Sequence, residues 1–489
     1  MASPDSWFSR AEPRTVSKVI GTGAGGNGKW RLGLNLNHDG TNRAKQWFLA
    51  VIIFLIPWQA QWIIFEQQLG GGVSEYLRIG LFATDVLMLA AVLWCRPTLP
   101  SADNRERRAL LILLGYLLVV SFLAGDPLAA FWKIGTIVLI VLFALTVWRN
   151  GDRRLLISAL IVSAVLQSLF GLWQVLRIYV PASTLLGTSE QTALRFGASV
   201  VETASGRWLR AYGMFPHPNI LGGFLAAALL FIIDRYFAAY EGFQEWWNKY
   251  GLGAKNLWRE KIVRQTAREI ALTLAALVIV LAGLVSTFSR SAILALTIGF
   301  IVYWAMKYHA NRIRATVLGI KIIAVAFAVL FVWQMFLPEL WQARVANNTR
   351  LENQSMSERV QGYYDAWEVF QRYPLGTGLQ NYTAALAKIN PGQPSYIYQP
   401  VHNTFLLLFI ELGIFGMAVV FFALRKRLKD FSYYLYNKAS PLTVATFTMF
   451  IIIGLLDHYL WSLHGGLIMI GITVALLICF CQAITTSVA

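Results

Sequence analysis

His402 opens the segment VHNTFLLLFIELGIFG, residues 401–416, where a titratable ring stands at the mouth of a long apolar run. A helix N-terminus carries partial positive charge, which disfavours imidazolium and keeps such a ring neutral near pH 7. A neutral imidazole at a wet boundary is a good general base. The plainer reading is an interfacial histidine, with Asn403 capping the helix that follows. Arg290, in STFSRSAILAL, poses a similar choice. A guanidinium between two apolar runs is costly unless it meets an anion. It serves either a lipid phosphate or a bound phosphate ligand, which its planar fork suits.

Three further stretches carry chemistry. SMSERVQGYYDAW places Arg359 on a predicted helix, with Glu358 beside it as an ordinary charge partner, and PLGTGLQNY follows. There Gly376 and Gly378 permit a tight turn whose amides could face a ligand. In RWLRAYGMFPHPNILGGFL, Arg210 and His217 precede Asn219, a candidate helix cap, while Pro216 and Pro218 break the backbone. Gly222 and Gly223 suit close helix packing. In LLDHYLWSLHGG, Asp457 either orients a histidine or caps a short helix, with His458 and His464 nearby. These histidines and His217 match no zinc spacing, and the outer loops hold no D-x-D pair, so neither metal nor cofactor is expected.

Membrane helices must position these residues. Of the 489 residues, 57% are hydrophobic and 14% charged. Apolar runs near the ~20 residues that span a bilayer recur at about 47–65, 76–95, 107–124, 128–148, 154–179, 218–237, 268–288, 290–307, 316–336, 402–424, 442–460 and 464–485. They are continuous rather than alternating, which excludes a β-barrel. The expected class is therefore an all-α polytopic membrane protein of about twelve transmembrane helices. With the N-terminus in the cytoplasm, the segments RPTLPSADNRERR, RNGDRR, 238–267, KYHANRIR and RKRLKD fall inside, while EQQLGGGVSE and AGDP fall outside. That partition obeys the positive-inside rule. Two long loops, 180–217 and 337–401, then face outward, on the side that becomes the periplasm if the membrane is a bacterial inner one, and SERVQGYYDAWEVFQRYP in the second reads as an interfacial helix ended by Pro374. All the candidate residues reach one membrane face.

The charge of +17 follows from lysine and arginine on inside loops and implies no nucleic-acid partner. Residues 1–46 form a basic, Gly-rich cytoplasmic tail, expected near anionic lipid; the remainder, 47–489, is one transmembrane domain. GTGAGGNGKW in the tail has Trp30 where a P-loop needs Ser or Thr, so no nucleotide site is assigned. No cleavable signal peptide is seen before the first apolar run. Cys95, Cys479 and Cys481 lie in or beside apolar runs and imply no disulfide framework.

The set SRSA, PLGTGLQNY and HNTFLLLFIELGIFG resembles the O-antigen ligase/O-antigen polymerase superfamily, most firmly over about 200–425. The resemblance implies an integral-membrane C-type glycosyltransferase of the bacterial inner membrane. It would move a glycan from undecaprenyl diphosphate to an acceptor glycan or a lipid A core, in O-antigen or exopolysaccharide biosynthesis. Arg290, Arg359 and His402 match the family's essential arginines and histidine. His402 would then be the base, and Arg290, Arg359 and Arg210 would hold the diphosphate without a metal. Ligase and polymerase both remain open, as does a partner that regulates chain length. The competing class is a major-facilitator-type transporter or a lipid-linked glycan flippase. A transporter predicts two similar halves and a midplane site, whereas here the halves differ and the candidate site is at one surface.

Overall fold

The computed structural model describes residues 40–98, 104–250, 261–346, 350–437 and 439–486. The tail with its glycine cluster, apart from its last few residues, lies outside these. The chain opens on α1 (Gly40–Phe54), turns, and runs out as β1 (Gln61–Phe65). A hairpin of β2 (Gln68–Leu69) and β3 (Gly72–Val73) and a 3₁₀ turn at Glu75–Leu77 return it as β4 (Ile79–Phe82), which leads into α2 (Ala83–Cys95). β1 and β4 are antiparallel, with Gln61 opposite Phe82. The expected spans at 47–65 and 76–95 are therefore each part helix and part strand. QWIIF and IGLF are short apolar runs whose periodicity does not distinguish the two states.

Next come α3 (Asn104–Phe122), α4 (Pro127–Asn150) and α5 (Arg153–Arg177). Asp126 and Asp152 cap the last two by accepting from Ala129 N and Leu155 N. The stretch 178–217 holds two small antiparallel pairs, β5 (Tyr179–Val180) with β6 (Gln191–Thr192) and β7 (Val200–Thr203) with β8 (Gly206–Leu209). Then follow α6 (Pro218–Tyr250), α7 (Lys261–Ser286), α8 (Arg290–Ala310) and α9 (Arg312–Phe336). α6 and α8 run past their apolar segments into polar sequence read as loop. Asn311 alone separates α8 from α9, capping the latter through Arg314 N. After α10 (Pro338–Ala346), the expected helix of the second long loop appears as α11 (Arg350–Arg372), followed by α12 (Tyr382–Ile389). α13 (Thr404–Asn437), α14 (Pro441–Leu456), α15 (Tyr459–Ser462) and α16 (His464–Thr486) complete the chain.

Among the described residues, seven helices are long and apolar enough to cross a membrane: α4 to α9 and α13. Each coincides with an expected span. Three shorter apolar helices are Ala83–Cys95, Pro441–Leu456 and His464–Leu477. α6 is the hub, with 89% of its apolar window buried, where the other six have 28–44%. It packs against α5, α7, α8 and α14. The outer helices turn large apolar side chains away from the bundle, among them Ile320, Phe327 and Phe331 of α9. Apolar surface on this scale fits lipid rather than water. The chain is an integral membrane protein.

Candidate active site

The candidate residues meet at one end of the bundle, where α6, α8 and α13 begin and α7 and α14 end. His217 stands at the N-cap of α6, ahead of Pro218 at the first helical position. Its Nδ1 accepts from Asn219 N at 3.1 Å, so the ring's proton lies on Nε2, which reaches Ser199 Oγ at 2.8 Å. The capping expected of Asn219 thus falls to His217. Asn219 is a bridge instead: its Oδ1 accepts from the Arg210 guanidinium at 2.7 Å, and its Nδ2 donates to Asp457 Oδ2 at 2.9 Å. Arg210 Nε also donates to Thr287 O, at the exit of α7 (2.7 Å). A continuous chain therefore runs from α7 through Arg210 and Asn219 to Asp457 at the end of α14.

Asp457 is buried, and its Oδ1 accepts from the His458 amide at 2.8 Å. The His458 ring packs edge-on against His402, centroids 5.1 Å apart, and against Tyr76 at 5.7 Å. Ser462 Oγ lies 3.1 Å from His458 O and 2.7 Å from His458 Nδ1. The hydroxyl donates to the carbonyl and accepts the Nδ1 proton, leaving Nε2 with its lone pair. His402 receives no side-chain hydrogen bond from the described residues, and its ring is only partly covered. Asn403 caps α13, its Oδ1 accepting from Phe405 N and Leu406 N at 3.0 Å each. Gly222 and Gly223 pack tightly: a Cβ on the first would meet Ser289 and Ala292, and on the second Tyr459.

The electrostatics keep the histidines neutral. Burial, reinforced by Arg210, pushes His217 down to about 3. Burial pushes His458 down to about 4 against the pull of Asp457. His402 is lowered from its ordinary value by burial, Asp457 opposing and Arg359 adding to the shift. Burial works against the charge of Asp457, but the three imidazoles and the His458 amide outweigh it, so the carboxyl lies below its usual range. Burial and the neighbouring Arg290 and Arg359 bring Arg210 down to about 10, still a cation at neutral pH.

The three arginines thus feel one another's charge. Arg359, on α11, has its Nε shut off from solvent without a hydrogen-bond partner. The other arginines of the two long loops with described side chains are occupied: Arg195 with Glu190 O, Arg207 and Arg350 with Glu202, Arg372 with Glu368. Arg290 follows Phe288, whose φ of +50° is left-handed. A bulky residue there costs about 1–3 kcal/mol; burial of the Phe288 ring against Trp333, Val201 and Leu340 offsets it. Beyond Arg290 lie an apolar cavity of 140 Å³ and a wholly apolar one of 480 Å³, which share Trp333 and Leu337 in their walls.

Gly376 and Gly378 do form a turn with positive φ, +106° and +86°, but its amides serve the fold. α13 breaks at Gly413 (φ +68°, ψ 179°), which frees carbonyls of its preceding turn. Thr377 N donates to Ile410 O and Gly378 N to Glu411 O, both at 3.1 Å, while Ile414 N donates to Pro374 O at 3.0 Å. Gly376 N is taken by Tyr373 O, and Tyr116 OH donates to Leu375 O and Leu412 O. Asn381 clasps the turn before α4 through Asp126 N and O. The PLGTGLQNY segment is a splice across a broken helix.

The residues missed in the sequence are Tyr76, Ser199, Thr287 and Ser462, together with a buried trio below them. In that trio Trp461 Nε1 donates to Glu411 Oε2 at 2.7 Å and Lys133 Nζ to Trp461 O at 2.5 Å. Glu411 belongs to the HN-x-x-L-x-x-x-x-E-x-G pattern, which was its one legible signal. Among the described residues, no three His, Cys, Asp or Glu are grouped to hold a metal ion.

No curated protein matches the chain. The matched family segment begins within α7 and ends within α13, so it contains Arg290, Arg359 and His402 but neither Arg210 nor Asp457. Over residues 275–421 the chain matches the model of the family described as O-Antigen ligase, which supports the likeness of this segment to the O-antigen ligase and polymerase superfamily.

Proposed function

We propose that the protein is an inverting membrane glycosyltransferase that moves a glycan from undecaprenyl diphosphate to an acceptor sugar at the periplasmic face of the inner membrane. One observation carries the reading: a neutral histidine with no side-chain hydrogen bond from the described residues, His402, lies within electrostatic reach of Arg359, whose buried Nε is also unpartnered. A base with a cation in its neighbourhood is what glycosyl transfer to a hydroxyl requires.

In the step, an acceptor hydroxyl attacks the anomeric carbon and its proton passes to His402. The new C–O bond forms as the bond to the diphosphate oxygen breaks, and the diphosphate leaves with that electron pair. Charge growing on the leaving group is met by Arg290, Arg359 and Arg210. Asp457 steadies the histidine pair from behind and keeps Arg210 aimed through Asn219. The apolar cavities beyond Arg290 suit an isoprenoid tail. His217, partly buried and committed to Ser199, has a positioning part.

The test is transfer by the purified protein in lipid, supplied with undecaprenyl diphosphate-linked repeat units, with and without lipid A core. A glycan ladder without core identifies a polymerase, and modified core alone a ligase. Retention of full transfer by folded His402→Ala would overturn the assignment of the base.

A further inference from the structure

A second polar space lies beside the catalytic cluster. It is a cavity of 210 Å³ between the turn ahead of β1, β4, α4, the 187–189 loop and the α15–α16 junction. Its wall includes Gln59, Trp132, Thr136, Gln380, Ser462 and His464. Ser462 is the residue that holds the His458 ring, so this wall and the catalytic cluster share a hydroxyl.

Among the described residues, three buried side-chain nitrogens on that wall lack a hydrogen bond; Arg78 Nε is ion-paired with Glu66 at 2.8 Å, and the other two have no partner at all. Gln59 is buried and its Nε2 has no hydrogen-bond partner. His464 has a side chain only 9% exposed; its Nε2 reaches Asp85 Oδ1 at 2.7 Å and its ring stacks on Phe82, 3.8 Å between centroids and 4° from parallel. The Asp85 carboxylate takes the Nε2 proton, so the other nitrogen, Nδ1, is an acceptor, and it too is without a partner. Both side chains line this one cavity, and Gln59 Nε2 lies 3.6 Å from where a Cβ on Gly465, the residue after His464, would stand. Unpaired buried polar groups cost roughly 1–3 kcal/mol each, and the fixed His464 ring gives Nδ1 no freedom to seek another partner.

An unpaired donor and an unpaired acceptor on one cavity wall suit hydroxyl ligands, since a hydroxyl both accepts and donates. Aromatic Trp132 and the hydroxyls of Thr136 and Ser462 extend the match to an apolar ring face edged with hydroxyls. The cavity is too polar for an isoprenoid tail, for which the apolar cavities beyond Arg290 are suited. We propose that this cavity is a carbohydrate subsite in which Gln59 Nε2 and His464 Nδ1 hold sugar hydroxyls while the reacting end of the glycan lies against His458 and His402. The glycan-transfer reading supplies the ligand's class; the sugar bound belongs to either the donor glycan or the acceptor.

The test separates this from turnover. Saturation-transfer NMR on the full chain in lipid nanodiscs would use two lipid-free probes: the repeat-unit oligosaccharide released from the lipid-linked pool, and the acceptor oligosaccharide released from the cell's glycolipid. One of them is expected to bind wild type, and still to bind His402→Ala, which is expected to turn over little. Binding should weaken about tenfold or more in Gln59→Leu and in His464→Phe, which keeps the stack on Phe82. Thr136→Phe fills the space without touching either nitrogen and should abolish binding, a control against misfolding of the other two. Raised KM for one substrate in the same variants then says which glycan occupies the site. Binding of neither probe, or binding unchanged in all three variants, overturns the subsite. Sugar binding that needs Gln59 and His464 in a protein that transfers nothing would leave the subsite standing and remove the catalytic reading.

Discussion

The main-chain carbonyl of Asp457 accepts from both the amide and the hydroxyl of Thr404, at 3.1 and 2.8 Å. The end of α14 is thereby pinned to the start of α13, two residues beyond His402. The carboxylate of the same Asp457 takes hydrogen bonds from Asn219 Nδ2 and the His458 amide. One residue therefore sets the spacing of three helix ends around the proposed base, and its charge acts on the imidazole there. Position and electrostatics can be separated by mutation.

Asp457→Asn keeps the side chain's shape and the main-chain clamp but removes the charge. Transfer should fall about ten- to a hundredfold, consistent with the loss of one charge-assisted network. Asp457 raises the His402 pKa, so the variant's acid limb should move to lower pH. Thr404→Val removes one hydrogen bond from the clamp, worth about 1 kcal/mol, and should leave the acid limb in place. pH–rate profiles of both variants decide the matter; an unmoved limb in Asp457→Asn would reduce Asp457 to a strut.

The base itself predicts the wild-type profile. His402 must be unprotonated to accept the hydroxyl proton, and burial lowers its pKa from 6.5. kcat/KM should therefore be flat on the alkaline side and fall on acidification, with its midpoint below 6.5. His217 and His458, held at about 3 and 4, do not titrate in this window. His402→Ala should lose about 10²–10⁴ in kcat and lack the limb in whatever activity remains. A wild-type midpoint above 6.5 would contradict the assignment.

Arg359 is exposed to a sharper test, because its Nε is buried and unpaired. Arg359→Gln should lower kcat about 10²–10³-fold with little change in thermal stability, since no protein hydrogen bond to Nε is broken. Arg210→Gln also breaks the bonds to Thr287 and Asn219 and should lower both activity and stability. With the arginines meeting the diphosphate charge, transfer should persist in excess EDTA. Loss of activity in EDTA, restored by a divalent cation, would assign that task to a metal.

The long apolar helices were legible because twenty consecutive apolar residues admit few structures in lipid. The first two spans were misread where QWIIF and IGLF pair as strands, since apolar runs of four or five residues fit a strand or a helix equally. His402 and Arg290 stood out because each is a polar group set against apolar runs, whereas Arg359, in a polar amphipathic stretch, was singled out through the family resemblance. Their partners gave no such sign. Asn219 and Asp457 are 238 residues apart in sequence, and nothing local in either stretch announces the bond. Asn219 looked like a cap because Asn before an apolar run usually is one; the histidine two residues earlier took that role. The glycines of PLGTG were read correctly as a turn but not as a splice, because a break in the middle of α13 leaves no mark beyond one more glycine.

That break makes a final prediction, in which one substitution has opposite signs at two sites. Gly413 has φ +68°, and a Cβ there would overlap the backbone of Leu375 and Gly376. Gly413→Ala must either push the PLGTG segment off or restore a regular helix, and restoring it would withdraw the carbonyls of Ile410 and Glu411 from Thr377 and Gly378. The cost should exceed about 3 kcal/mol, combining a left-handed alanine, an overlap and lost buried hydrogen bonds. Gly362, within α11, has ordinary helical geometry, and its nearest neighbour to an added Cβ is Val401 Cα at 3.9 Å. Gly362→Ala should stabilise by up to about 1 kcal/mol through helix propensity. Thermal unfolding of the two variants in detergent should therefore bracket wild type. A Gly413→Ala protein as stable as wild type would show that α13 runs straight, and that the loop carrying Gly376 and Gly378 is held by something other than the kink.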